Sequence, residues 1–481
     1  MIDQNTEKLV HVETWGCQMN TADSERMLTL LAEKNYRLVQ SAEEADLVLL
    51  NTCHIREKAR HKVVSRLGVL RELKEKRPGM TIAVAGCVAQ AEGAKLLKEA
   101  PVIDVLLGPG KIEDLPRLLE EHAASGKTTM AIGFKKERAH DHDEELQDVP
   151  VAGAFSDQAM HGDASETAVK SSLVAPLTLT GKKDISRFVN VQQGCNNYCT
   201  FCVVPFTRGR EISRSVAEIV AESEALIQAG AREITLLGQN VNSYGHDIGT
   251  NLVTVLSAVA ALPGLQRLRF TTSNPHDFTK ELADLFASEP KMGAYLHLPV
   301  QSGSNAVLAR MKRKVTVEEY RERIRWLKAA VPDIAISTDL IVGFPGETEE
   351  QFAETLALVD EVNFSFAFTF KYSPRKNTPA ARYQDQIAED VKEARLARLH
   401  ALQDKLTVTH HQAEIGKVRD VLFQYESTKH PGHFYGRTAH FRLVRVRSDH
   451  NLVGETHPIR ITEANKTALL GELCQKHEVL S

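Results

Sequence analysis

Cys195, Cys199 and Cys202 lie in Gln193-Gly194-Cys195-Asn196-Asn197-Tyr198-Cys199-Thr200-Phe201-Cys202, a C-x3-C-x2-C spacing. Three thiolates on one short loop can hold three irons of a cubane cluster and leave the fourth iron without a protein ligand. An open iron is a place for a small molecule to bind and react. Three further cysteines are dispersed: Cys17 in Trp15-Gly16-Cys17-Gln18-Met19-Asn20, Cys53 in Asn51-Thr52-Cys53, and Cys87 in Gly86-Cys87. Each stands just past a strand-like apolar run. In a parallel sheet such positions share one edge, where open α/β folds bind ligands. One such cysteine is most simply a small buried hydrophobe, but three at equivalent places favour ligation. Zinc, which also takes three thiolates plus a further ligand, stays open as the alternative metal. Cys474 is isolated and reads as a structural or free thiol.

The elements that must position these cysteines are legible as alternating patterns. Leu9–Thr14, Asp46–Leu50, Thr81–Ala85 and Val102–Leu107 are strand-like and separated by helical periodicity. This predicts a parallel α/β sheet domain over residues 8–125. Over residues 126–183 the periodicity fades into a charge run, Glu137 to Glu145, and then small polar residues, which reads as a linker or insertion. Six more strand-like runs follow: Phe188–Val191, Glu233–Leu237, Leu265–Thr271, Tyr295–Val300, Ile334–Val342 and Phe364–Lys371. With helices between them they predict a partial (βα)6 barrel over residues 184–413, with chemistry at its C-terminal mouth. The cysteine loop follows the first of these strands. Gly238, Gln239 and Ser302, in later strand-end turns, are candidates to line the mouth.

A basic helix from Ala388 to about His411 reads as a solvated face. Short strands over Val418–Gln424, Gly436–Val446 and Leu452–Ile461 predict a small β-barrel in residues 414–478. Arg437, Arg442, Arg445 and Arg447 surround Phe441 with no acid among them. Arginines with an aromatic on a small barrel suit RNA backbone contact and base stacking. The fold class is α/β throughout the first two parts, closed by a β-barrel.

Composition narrows the function classes. The 481 residues carry Lys+Arg 59 against Asp+Glu 63, a net charge of −4, so bulk charge decides nothing about nucleic acid. Seven cysteines are too few for a disulfide scaffold. No apolar run approaches a membrane span, and the first residues lack the basic and apolar segments of a signal peptide. A cytoplasmic protein is expected, with no membrane partner.

Taken together, the motifs resemble those of the radical S-adenosylmethionine (SAM) methylthiotransferase family. Cys195-x3-Cys199-x2-Cys202 resembles the radical SAM signature, and the loops of Cys17, Cys53 and Cys87 resemble the family's N-terminal domain. Gly436-Arg437-Thr438 and Gly454 are similar to its RNA-binding TRAM barrel. The resemblance implies two [4Fe-4S] clusters. Cys195, Cys199 and Cys202 would hold the one that binds SAM, with Gly238, Gln239 and Ser302 in the SAM pocket. Cys17, Cys53 and Cys87 would hold an auxiliary cluster that carries the sulfur. It further implies two SAM per turnover and a tRNA substrate gripped through Arg437, Arg442, Arg445 and Arg447. The implied reaction is methylthiolation of carbon 2 of N(6)-isopentenyladenosine next to the anticodon (position 37). An electron donor protein and a sulfur source are implied partners, and the chain is expected to be monomeric.

Two other readings remain open at this point. One is a sibling methylthiotransferase acting on threonylcarbamoyl-adenosine of tRNA or on a ribosomal protein aspartate. The other is an RNA-binding protein whose cysteines hold structural zinc.

Overall fold

The computed structural model describes residues 7–53, 57–134 and 184–474. The Glu137–Glu145 run and most of the expected insertion lie outside the described residues. The first part is built from β1 (Lys8–Trp15), α1 (Gln18–Ala32), β2 (Tyr36–Leu38), β3 (Leu47–Thr52), α2 (Glu57–Lys76), β4 (Thr81–Gly86), α3 (Cys87–Glu99), β5 (Val105–Leu107), α4 (Leu115–Ser125) and β6 (Thr129–Ala131). All six strands are parallel, in the order β2-β1-β3-β4-β5-β6. Alternate residues of the central strands enter two different cores. Val48, Leu50, Ile82 and Val84 pack on one face, and Leu47, Leu49, Ala83 and Ala85 on the other. Burial on both faces is what makes such strands continuously apolar in sequence.

Two of these strands were not expected. β2 and β6 are three residues each, too short to show a period, and only their pairing with β1 and β5 makes them strands. β6 also falls in the stretch read as connector.

The second part contains β7 (Ser186–Asn190), β8 (Gln192–Gln193), α5 (Val204–Arg208), β9 (Ile212–Ser213), α6 (Val216–Gln228), β10 (Glu233–Leu237), α7 (Leu252–Ala260) and β11 (Arg267–Thr271). It continues with α8 (Lys280–Ser288), β12 (Tyr295–His297), α9 (Asn305–Arg310), α10 (Val317–Ala330), β13 (Ala335–Val342), α11 (Glu349–Val362), β14 (Phe366–Lys371) and α12 (Glu389–Gln412). Strands β7, β10 and β11 form one parallel sheet and β12, β13 and β14 another, linked by the Leu268–Met292 bridge. The result is a six-stranded partial barrel with its strands in chain order. Capping boxes at Ser215/Glu218, Thr316/Glu319 and Thr348/Gln351 start α6, α10 and α11 by satisfying free backbone N–H groups reciprocally. The basic helix α12 is a solvated face only in part: Arg398 and Lys405 are exposed, whereas Lys392 and Arg395 are buried, and Arg395 pairs with Glu347 at 2.8 Å.

The last part is a closed barrel, β15 (Val418–Glu426), β16 (His433–Thr438), β17 (Leu443–Arg447), β18 (Thr456–Ala464) and β19 (Leu469–Leu473), ordered β15-β16-β17-β19-β18. Five strands replace the three expected. The run Gly436–Val446 is split by a turn at Thr438–Arg442, where Phe441 has φ 65°. Leu452 lies outside the strands and fills the barrel core instead.

This small barrel docks where the central strands begin. Arg267 and Arg269 donate to the carbonyls of Arg437 and Thr438, Gln424 reaches Glu233, and His440 meets Asp333 ahead of β13. The cysteine loop is at the other end of the strands. A strand of five to eight residues puts roughly 20 Å between the two.

Candidate functional site

The Cys195–Cys202 loop is pinned from several directions. Gly194 has φ +84°, and a Cβ there would overlap the Arg210 carbonyl, so only glycine permits this entry to the loop. Its N–H donates to Gln239 Oε1. Thr200 is held through its N–H to the Met311 carbonyl (3.1 Å) and its hydroxyl to the Arg310 carbonyl (2.9 Å), and its own carbonyl accepts from Ala380 (3.0 Å). Each sulfur faces an N–H donor: Asn197 Nδ2 lies 3.7 Å from Cys195, Arg313 Nη1 3.7 Å from Cys199, and the Val204 N–H 3.5 Å from Cys202. Such donors stabilise thiolate charge and tune the potential of an iron–sulfur cluster. Burial pushes the Cys195 thiol up to about 11 and Cys202 up to about 12, so metal must displace protons to bind.

Beside this loop, the turns after β10 and β11 carry buried polar atoms with no protein partner. They include Gln239 Nε2, Asn240 Oδ1, Asn242 Oδ1 and Ser273 Oγ, with Gln192 Oε1 next to Gly238. Unmatched buried polar atoms cost about 1–3 kcal/mol each, and a cluster of them at a barrel mouth fits a polar ligand such as SAM. Thr272 (φ 71°) and Gln301 (φ 80°) adopt left-handed backbone at the ends of β11 and β12, the kind of local strain that functional sites retain. Ser302 is fully buried, with its hydroxyl against Thr355 Oγ1 at 3.2 Å and its oxygen accepting from the Ser304 N–H, contacts that brace the turn against α11.

The dispersed cysteines follow adjacent strands. Trp15, Thr52 and Gly86 are in register at the ends of β1, β3 and β4, and Cys17, Cys53 and Cys87 come just after them. Adjacent strands are about 4.8 Å apart, so the three share one edge within roughly 10 Å. Gly16 makes the approach possible: a Cβ there would stand 2.7 Å from Cys53 Cβ. A buried amide network orders the edge. Asn51 Nδ2 donates to the Asn20 carbonyl and Ser24 Oγ, both at 2.8 Å, and Asn20 Oδ1 accepts from the Cys17 thiol at 3.3 Å.

The hydrogen bond with Cys53 draws the Cys17 thiol down to about 6 against the effect of burial, helped by the nearby charge of Arg208. Burial pushes Cys87 up. Among the described residues no three His, Cys, Asp or Glu side chains close on a single-ion position. Zinc, with Zn–S of about 2.3 Å, draws its sulfurs together, whereas a cubane gives each thiolate its own iron. The donor chemistry of both triplets fits a cubane.

The two cysteine regions are held against each other. Met19 and Ala22 of α1 pack on Leu237 at the end of β10, with Cys17 and Phe188 alongside. Arg187 reaches Glu25 at 3.3 Å, and Arg208 pairs with Asp23 at 2.7 Å with only 4% and 7% of the two side chains exposed. Nothing in the sequence pattern marked Arg208, Arg313 or Asp23. Their partners are distant in the chain, and isolated charges look alike until a fold buries them.

The arginines expected to bind RNA divide into two pairs. Arg437 lies 4.2 Å over the Phe441 ring with Nη1 on the Phe441 carbonyl, and Arg442 pairs with the buried Glu414. Arg437 braces the Phe441 turn that seats the small barrel, and Arg442 ties that barrel to the end of α12. Arg445 and Arg447 line an open cleft of about 520 Å³ with His433 and Ser448.

Comparison with known proteins agrees with this organisation. The chain matches the models of the Uncharacterized protein family UPF0004 over residues 9–108, the Radical SAM superfamily over residues 189–359, and the TRAM domain over residues 412–474. It is 43% identical over 471 residues to the tRNA-2-methylthio-N(6)-dimethylallyladenosine synthase of Geotalea uraniireducens (strain Rf4), covering 98% of this chain and 99% of that protein. The synthase of the same name from Burkholderia ambifaria (strain MC40-6) is 40% identical over 477 residues, 97% of each chain. Among solved structures, the radical S-adenosylmethionine methyltransferase TsrM from Kitasatospora setae, with cobalamin and a [4Fe-4S] cluster bound, matches with a TM-score of 0.55. That match has 16% identity and covers 78% of this chain and 77% of that one, a likeness of fold alone. With its cysteine loop at a six-stranded barrel mouth and its close relatives matched nearly end to end, the chain belongs to the tRNA-2-methylthio-N(6)-dimethylallyladenosine synthase family of radical SAM enzymes.

Proposed function

We propose that this protein methylthiolates carbon 2 of N(6)-isopentenyladenosine beside the tRNA anticodon, giving 2-methylthio-N(6)-isopentenyladenosine. The observation that carries the reading is the docking of the Cys17, Cys53 and Cys87 edge onto the barrel that bears Cys195, Cys199 and Cys202. A one-cluster SAM enzyme has no need of a second thiol triplet beside its mouth. In this reading Cys195, Cys199 and Cys202 hold the SAM-binding [4Fe-4S] cluster, and Cys17, Cys53 and Cys87 hold an auxiliary one. Bound there, the first cluster supplies the electron that cleaves SAM and the second a sulfur that a second SAM can methylate.

The chain's own residues supply binding, orientation and exclusion of water. Gln239 joins the cysteine loop to the polar turns after β10, offering Nε2 inward while its Oε1 holds Gly194. Gly238 leaves room for the Gln192 side chain, whose Oε1 would stand 3.1 Å from a Cβ there. Arg313 fixes the Cys199 sulfur and, through Nη2 on the Pro299 carbonyl at 2.7 Å, ties it to the turn after β12. Phe201 packs with Ile341, Phe344 and Tyr372 behind the loop and keeps water from it.

Because the small barrel sits at the opposite end of the strands, a tRNA that touches both Arg445 or Arg447 and the mouth must span more than the roughly 20 Å length of those strands. No helix among the described residues is long and apolar enough to cross a membrane. A monomer in the cytoplasm, served by an electron donor protein and a sulfur source, completes the proposal.

Nucleoside mass spectrometry of tRNA from a strain lacking this protein tests the reading. Loss of 2-methylthio-N(6)-isopentenyladenosine with accumulation of the unmethylthiolated nucleoside supports it. An unchanged level overturns it, and loss of the threonylcarbamoyl-adenosine derivative instead would assign the sibling activity.

A further inference from the structure

Arg208 is the last residue of α5, just past Cys202, and so belongs to the central barrel. Its guanidinium is nevertheless buried at the edge of the N-terminal sheet. Nη2 lies 2.7 Å from Asp23 Oδ2, and Asp23 Oδ1 accepts from Asn190 Nδ2 at 3.4 Å. Helix α5 packs on α3, whose first residue is Cys87, and Asp23 lies on α1, which starts directly after Cys17, so the guanidinium and its carboxylate partner sit at the thiol edge. A buried ion pair stabilises a fold little or not at all relative to apolar residues of the same volume. Apolar packing by Met19, Ala22 and Leu237 already joins the two domains here. The charges therefore call for a role besides adhesion, and the groups they face are the cysteine thiols.

We propose that Arg208 and Asp23 are positioning residues that set the reduction potential of the auxiliary cluster, with the barrel contributing the positive charge. The inference rests on the reading that Cys17, Cys53 and Cys87 hold that cluster. Reduction adds one negative charge to a cluster. A buried guanidinium beside the cluster favours the reduced state, and the carboxylate behind it opposes it. Both side chains are shielded from water, so salt screens them weakly. Because the arginine comes from the barrel, the auxiliary site acquires this potential only when the two domains are docked.

The test uses the full chain with Cys195, Cys199 and Cys202 replaced by Ala, reconstituted anaerobically, so that only the auxiliary cluster reports. Redox titration followed by electron paramagnetic resonance should show Arg208→Gln shifted to a more negative potential and Asp23→Asn to a more positive one. Arg208→Lys, which keeps the charge, should stay near the parent. Opposite shifts are the signature of charge, because a loosened structure would move both variants the same way. Shifts of one sign, or none, overturn the inference. Should Arg208→Gln fail to load iron, the sign for Asp23→Asn decides alone: positive supports, zero or negative overturns. A parent that binds no iron in this background would instead contradict the assignment of the auxiliary cluster itself.

Discussion

The Arg269 guanidinium lies 5.1 Å from the centroid of the Phe441 ring, and through this contact the C-terminal barrel is seated on the base of the central one. The ring also stacks on Tyr295 at 4.7 Å and 15°, and Arg269 Nη2 donates to the Thr438 carbonyl at 3.0 Å. Phe441→Ala removes the ring from both partners, at an expected cost of about 3 kcal/mol. Calorimetry should then show the C-terminal barrel melting as a separate, earlier transition. A single transition at the parent temperature would contradict the seating.

The four arginines near Phe441 should separate in function. Arg445→Ala and Arg447→Ala are expected to weaken tRNA binding and each to lower the salt dependence by about one counterion. Arg437→Ala and Arg442→Ala should act first on stability, because their partners are the Phe441 carbonyl and Glu414. Filter binding at several salt concentrations, beside thermal melts, measures both effects. An unchanged salt slope in Arg445→Ala and Arg447→Ala would remove them from the RNA surface.

Glu414 makes the junction between α12 and the small barrel sensitive to acid. Burial opposes its ionisation, but the hydrogen bond from Arg419 and the charge of Arg442 prevail and hold it at about 2, against an ordinary 4.5. A depressed folded-state value means that the stabilisation, roughly 3 kcal/mol, is fully present above pH 4.5 and is lost as pH falls toward 2. Denaturant midpoints of the C-terminal transition should decline through this window. Glu414→Gln should flatten the decline while lowering stability at neutral pH.

The two cysteine triplets should fail differently. Reconstituted protein is expected to hold about eight irons, and either triple Ala variant about four. Replacing Cys195, Cys199 and Cys202 should abolish SAM cleavage. Replacing Cys17, Cys53 and Cys87 should leave SAM cleavage and eliminate the methylthio product. Equal loss of both activities in both variants would contradict the division of labour.

The sequence by itself determined the element types and the thiol positions. Long strands such as β3 and β13 announce themselves because burial on one or both faces writes a pattern of apolar residues, and the cysteine spacing is local. The same reasoning could not see β2 or β6, whose three residues carry no period. Nor could it tell that Gly436–Val446 turns at Phe441. Side-chain partnership across the chain was decided only by the tertiary structure. Arg208 finds Asp23, Arg442 finds Glu414 and Ser302 finds Thr355, over separations that no periodicity encodes. An arginine in sequence is a solvated charge by default. Whether it faces RNA, a thiol or a carboxylate depends on which surfaces the packed domains bury together, and that is a property of the whole fold.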